Sequence, residues 1–184
     1  MKILVLCGTH TQPFDRLVDA AAALAAAGHH VTVQRGVSTR PCPGGVVLDV
    51  IGPDALGALA DAAELIVGHA APGTAFLAWE RGLRPVLVPR SAAHHEHVDD
   101  HQARFAQAVQ GRAVVVLDPA QVAPQIAAMG GRAPTVAPSE AGVSEAFLRE
   151  FAALADNVVA KARQGVRKRA RVRDVLQALG RRAR

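Results

Sequence analysis

The sequence predicts a doubly wound α/β fold, one parallel sheet with helices on both faces. Three observations carry this. Short, continuous apolar runs recur along the chain, as expected for strands buried on both faces. Patterns of helical length separate them, the alternation that builds βαβ units. Prolines and glycines stand mostly at the junctions, where they start and stop elements.

A first strand is expected at residues 2–7 and a helix at 13–27, with Thr11 as its cap, Pro13 in the first turn and Gly28 just past the end. Proline is pre-set for a helix start and glycine for a helix stop. Strands at 31–34 and 46–51 flank a proline- and glycine-rich loop at 36–45. Helices at 53–62, 74–81 and 98–109 lead to strands at 65–67, 85–88 and 113–117, the first to the first and so on in order. A helix at 119–129 closes the series. The chain therefore reads as a domain over 1–130, a linker over 131–142 and a helical extension over 143–184. That extension divides into an amphipathic helix at 143–162 and a basic one at 166–179.

At 184 residues the chain suits one domain with one core. Half of it is hydrophobic, which excludes disorder for the bulk of it. The formal charge of +5 is unevenly placed: residues 161–184 carry ten basic side chains and one acid, Asp174. The basic balance thus belongs to a tail suited to an anionic membrane surface, and no nucleic acid partner is expected. Cys7 and Cys42 make neither a disulfide framework nor a C-x-x-C zinc pair. The apolar run before Gly8 fits a first strand better than a signal peptide. No stretch approaches the ~20 apolar residues of a membrane span. A cytoplasmic protein is expected.

Ligands of such a sheet bind at the carboxyl ends of its strands. Three segments lie there. The first is Gly8-Thr9-His10-Thr11-Gln12-Pro13-Phe14-Asp15, a glycine turn opening a helix. The second, Gly68-His69-Ala70-Ala71-Pro72-Gly73-Thr74, places Gly73 and Thr74 at a helix N-terminus, where backbone N–H groups and the helix dipole suit a diphosphate. The third runs from Pro89 and Arg90 to Gln102 and holds His94, His95, His97 and His101 among Glu96, Asp99 and Asp100. His97 and His101 have the i, i+4 spacing of a zinc pair. The acids have a plainer role at a helix start, no further ligand stands at a second strand end, and no metal is expected.

Together the three segments resemble the Alg13-like glycosyltransferases, which include PssE-type exopolysaccharide proteins and the C-terminal halves of MurG-like enzymes. Gly8 to Leu17 reads G-T-H-T-Q-P-F-D-R-L against a family pattern G-T-H-x-Q-P-F-D-R-L. Gly68 to Thr74 reads G-H-A-A-P-G-T against S-H-G-G-P-G-T. Pro89-Arg90 followed by Glu96-His97-Val98-Asp99-Asp100-His101-Gln102 matches P-R and E-H-x-D-x-H-Q. The resemblance implies the C-terminal, Rossmann-like half of a GT-B fold that binds a UDP-sugar as substrate, without a metal cofactor. It implies that His69, Gly73 and Thr74 hold the diphosphate, that Gly8, Thr9, His10 and Pro72 also contact the UDP-sugar, and that Arg90 supports the diphosphate or the Glu96 loop. It implies that Asp100, His101 and Gln102 reach the sugar hydroxyls, Gln102 above all, since an amide both donates to and accepts from hydroxyls, and that Glu96 and His97 belong to the same UDP-sugar site. Two departures stand out. Leu77 occupies the place of a ribose-binding glutamate, with Glu80 one turn further on, and Ala70 and Ala71 replace two glycines.

The resemblance further implies an inverting hexosyltransferase that acts with a membrane-anchored Alg14- or PssD-like partner on a lipid-linked or exopolysaccharide acceptor. It would work peripherally at the inner face of the plasma membrane. His10 and Asp15 are candidates for the base, which in two-half enzymes commonly lies on the acceptor half. Two rival readings remain: a metal-dependent hydrolase on the His94 to His101 cluster, and a noncatalytic nucleotide-binding module.

Overall fold

A computed structural model of the chain describes residues 1–136. The extension expected at 143–184, and residues 137–142 of the expected linker, lie outside the described residues.

The sheet is parallel and six-stranded, in the order β3-β2-β1-β4-β5-β6. At its centre, β1 (Lys2–Leu6) pairs with β2 (His30–Gln34) on one side and β4 (Leu65–His69) on the other. From there the chain winds outward to β3 (Val46–Leu48) in one direction and to β5 (Val86–Val88) and β6 (Val114–Val115) in the other. The reversal falls between β1 and β4, so the loops leaving these strands diverge and open a crevice at the carboxyl edge.

Side chains along a strand alternate between faces, and the two faces have separate cores. Ile3 and Val5 of β1 pack with α1 (Asp15–Ala26) and α5 (Val122–Ala128) through Leu17, Leu24, Val122 and Ile126. Leu4 and Leu6 pack with α2 (Pro53–Ala62) and α3 (Pro72–Trp79) through Leu56, Leu59, Ala60 and Ala78. Trp79 is fully buried, and its indole N–H donates to the Arg112 carbonyl at 3.0 Å.

Several expected boundaries move. Helix α1 begins at Asp15 rather than at Pro13, and Thr11 does not cap it; the Ser38 hydroxyl instead accepts the Phe14 N–H and donates to the Asp15 carboxylate. Gly28 does sit just past its end, at φ +87°. Helix α3 starts two residues early, at Pro72. The expected helix at 98–109 shortens to α4 (His101–Ala108). Ahead of it the His97 ring accepts the Val98 N–H and the Asp99 carboxylate accepts the His101 N–H, local bonds that compete with helix formation. Pro119 to Gln121 form a 3₁₀ turn before α5. Past α5 the chain returns to the domain, with a Leu83–Thr135 bridge, the Val136 N–H on the Gly82 carbonyl and Val136 buried. No helix among the described residues is long and apolar enough to cross a membrane.

Candidate functional site

The crevice is a cleft of about 270 Å³ at the carboxyl ends of β1, β2 and β4. Gly8, Thr9, His69, Gly73 and Thr74 form one side of it, and Leu6, Ile51, Leu56 and Leu77 give it an apolar wall.

Gly8 is held at φ +83°, and a Cβ there would come within 2.7 Å of the His69 ring. Its neighbour across the sheet explains how the turn is fixed. Gln34, the buried last residue of β2, accepts the Gly8 N–H through Oε1 at 3.0 Å and donates to the Gly8 carbonyl through Nε2 at 3.1 Å. The side-chain amide thereby continues the strand pairing past the end of the ladder. The sequence reading missed Gln34; the signal was a polar residue ending an apolar strand.

His69 ends β4 beneath this turn. Its Nδ1 lies 3.3 Å from the Leu6 carbonyl and 3.3 Å from the Thr74 hydroxyl. A carbonyl only accepts, so Nδ1 carries the proton and Nε2 presents a lone pair. Burial pushes the His69 pKa down to about 4, outweighing the opposing Leu6 bond, and Arg90, His97 and His10 lower it further. The neutral ring therefore offers no donor to a phosphate from Nε2. Anion donors come from the adjacent turn instead. Pro72 occupies the first position of α3, and the first helical N–H to find a partner is Ala75's, on the Ala71 carbonyl. The Gly73 and Thr74 N–H groups precede it, where a helix leaves its donors unpaired. With its oxygen near the Nδ1 proton, the Thr74 hydroxyl keeps its own proton to donate.

Behind the cleft stands Arg90, 2% exposed. Its guanidinium donates to the carbonyls of Cys7 (2.7 Å), Gln12 (2.7 Å) and Glu96 (2.9 Å), and lies 4.9 Å from the centre of the Phe14 ring. Glu96 is buried too; it takes both Arg16 bonds (2.8 and 2.7 Å) and accepts the Ser91 N–H. The Gln102 side-chain oxygen Oε1 accepts the Arg90 backbone N–H at 3.0 Å. The structure thus places Arg90 and Glu96 in the frame that joins the loops after β1 and β5, because buried charge must be matched by bonds wherever it sits. Of the two supports suggested for Arg90, the contacts are with the Glu96 loop.

Outside the residues that line the cleft, three imidazoles gather. The His10 ring centre is 4.3 Å from that of His97, and His97 is 4.5 Å from His101. Asp99 joins them, its Oδ1 bonded to His101 Nδ1 and 3.6 Å from His97 Nδ1. Burial lowers the His97 pKa, and His101 and His10 add to this. Asp99 is held below its ordinary value: partial burial raises it, but bonds from the His101 backbone and ring outweigh that. Ligand atoms of His97, Asp99 and His101 all lie within 4.8 Å of one another, so the metal spacing read from His97 and His101 gains Asp99 as a third member. Asp100 accepts the Ala92 N–H. Asp15 is bonded to Ser38 and is not part of the cleft wall. Nor is Glu80, whose carboxylate is exposed and 3.8 Å from Arg81, whereas Leu77 is in the wall.

Comparisons with known proteins agree with this architecture. No curated protein matches the chain significantly. Among solved structures, the glycotransferase of kitacinnamycin superposes with a TM-score of 0.52 at 16% identity, covering 83% of this chain and 38% of that one. The calicheamicin glycosyltransferase CalG4 superposes with a TM-score of 0.51 at 20% identity, covering 85% and 44%. At such identities the likeness is one of fold, and this chain spans less than half the length of either. Residues 2–153 match the glycosyltransferase family 28 C-terminal domain, and the chain belongs to that family.

Proposed function

We propose that the chain is the donor-binding half of an inverting, UDP-sugar-dependent glycosyltransferase. One observation carries this: the loops after β1 and β4 meet at the switch point of the sheet, with the first turn of α3 opening on the same cleft as Gly8, His69 and Thr74. A diphosphate fits that turn through the Gly73 and Thr74 N–H groups and the Thr74 hydroxyl. Gly8 has no side chain to bar its approach. The nucleoside lies along the Leu6, Ile51, Leu56 and Leu77 wall, and the sugar faces the 97–102 segment with Gln102. Leu77 offers no carboxylate to a ribose, so the helix N-terminus holds UDP chiefly by its diphosphate. Helix dipole and hydrogen bonds replace a metal in this role.

The acceptor is a lipid-linked or exopolysaccharide chain, presented by a membrane-anchored Alg14- or PssD-like subunit. Family membership and the two GT-B-like superpositions support a glycosyltransferase. This chain covers 38% and 44% of those two structures, which supports reading it as one half of such an enzyme. Calorimetry with UDP and a panel of UDP-sugars tests the reading. Micromolar-to-millimolar binding that weakens in Thr74→Ala is the expected result; no heat with any member of the panel refutes it.

The rival metal-dependent hydrolase rests on the His97, Asp99 and His101 spacing. Elemental analysis decides it: stoichiometric zinc or manganese in protein purified without chelator, with activity lost on chelation, would replace the transferase reading.

A further inference from the structure

We propose that the donor cleft does not select ribose, and that it takes 2′-deoxyribonucleoside diphosphate sugars at least as readily as UDP-sugars. The inference rests on the transferase reading above and concerns the pentose alone.

The covalent order of the donor fixes where the pentose lies. It is attached to the diphosphate, and the diphosphate fits the first turn of α3 at Gly73 and Thr74. Leu77 follows Thr74 by three residues, one turn along on the same helix face. It lines the cleft with Leu6 of β1, Ile51 ahead of α2 and Leu56 of α2. The group next to the diphosphate therefore meets hydrocarbon.

Doubly wound nucleotide-binding folds hold the ribose 2′-hydroxyl with an acidic side chain about 20 residues beyond the glycine turn. Here the residue that reaches the cleft from that part of the chain is Gln34. Its amide is already committed. Nε2 donates to the Gly8 carbonyl and, at 2.8 Å, to the Asp49 carbonyl, which uses both of its N–H bonds. Oε1 accepts the Gly8 N–H, and the residue is 5% exposed. Asp49 itself is exposed and bonded to Arg35 at 2.7 Å, and Glu80 is exposed beside Arg81. Among the described residues, neither these acids nor Asp54 line the cleft. The other lining acceptors, His69 Nε2 and the hydroxyls of Thr9 and Thr74, belong to the side that takes the diphosphate.

A hydroxyl that leaves water without a partner loses hydrogen bonds that nothing returns. A 2′-hydroxyl against Leu77 is such a group, so its removal costs no affinity. A site that does bond a substrate hydroxyl rejects the analogue lacking it by about 10⁴- to 10⁵-fold, whereas an apolar wall discriminates weakly. The two cases are far enough apart for one titration to separate them.

Calorimetry with UDP and dUDP on the full-length chain tests this. The two nucleotides differ only at the 2′ position, so their other contacts cancel. In the parent, dUDP should bind within about threefold of UDP, or more tightly. Leu77→Glu brings a carboxylate to the pentose and should shift the ratio of affinities toward UDP by at least about fivefold. Leu77→Ala shortens the wall, so it should weaken both nucleotides by a like factor of at least about threefold and leave their ratio unchanged. Should Leu77→Glu fail to fold, the parental ratio and Leu77→Ala still decide. UDP binding more than about threefold tighter than dUDP in the parent overturns the proposal. So do folded Leu77 variants that leave both affinities unaltered, since the pentose would then lie away from the wall. Binding of neither nucleotide by the parent would instead refute the transferase reading, which keeps the two failures distinct.

Discussion

At the scale of single residues, the cleft turns on the protonation of His69. Its folded pKa of about 4 lies below the ~6.5 of an unfolded histidine. Between these values the unfolded chain binds a proton that the folded chain refuses. The resulting stability is full above about pH 6.5 and is lost as pH falls toward 4, up to about 3 kcal/mol. Urea midpoints at pH 7 and pH 4.5 should therefore differ less in His69→Asn than in the parent; an equal difference in both proteins would show that His69 is not the group. Thr74 is the companion case. Its hydroxyl and N–H stand where a diphosphate charge would sit, and hydrogen bonds to charged groups contribute about 1.5–3 kcal/mol each. Thr74→Ala should weaken UDP roughly 10- to 150-fold by calorimetry. An unaltered Kd would remove the first turn of α3 from the site.

At the scale of elements, Arg90 joins segments that are far apart in sequence. Its guanidinium serves carbonyls of Cys7, Gln12 and Glu96, which lie at the end of β1, in the loop after it and in the loop after β5. Arg90→Met keeps the apolar stem and leaves three buried or half-buried carbonyls without their donor, at a cost of about 1–3 kcal/mol each before relaxation. A melting temperature lowered by at least about 5 °C is expected, and an unchanged one would mean that water replaces the guanidinium without loss. The sequence made Arg90 and Glu96 visible as charged residues at a strand end, but not whether they face a ligand or the frame, because that depends on Arg16, Cys7 and Gln12 meeting them in space. The strands and most helices were legible because burial on both faces imposes continuous apolar runs. The start of α4 was not, because Asp99 and His97 bond to nearby N–H groups within a stretch of helical length. The apolar wall was not either, since Ile51, Leu56 and Leu77 come from separate elements, and Gln34 acts only through the strand beside it.

At the scale of the whole molecule, the open question is what completes the site. A diphosphate held by a helix N-terminus and Thr74 requires no metal, so donor binding should survive EDTA, with the same UDP affinity by calorimetry before and after chelation; a lower affinity after chelation would place an ion in the site. The basic residues at 161–184 suit an anionic membrane face, which would bring the cleft to a lipid-linked acceptor. Co-sedimentation with anionic vesicles should weaken with salt and with removal of residues 166–184, and equal pelleting without them would dismiss the tail as the anchor. The strongest constraint comes from size. The described residues form one Rossmann-like layer structure whose cleft opens at the carboxyl edge, while the superpositions cover only 38% and 44% of the two glycosyltransferases. On the proposed reading the chain binds donor by itself, because the cleft is built from its own loops. Transfer needs an acceptor oxygen placed within about 3–3.5 Å of the anomeric carbon and aligned with the bond that breaks, and holding two reactants so is the larger part of what a second half contributes. The purified chain should therefore bind UDP with its full affinity and transfer sugar slowly or not at all. Adding the membrane-anchored subunit should raise transfer to a lipid-linked acceptor by at least 10²-fold with little change in UDP affinity. Rapid transfer by the chain alone, at a rate the second subunit does not alter, would refute the two-subunit arrangement and leave the donor site standing.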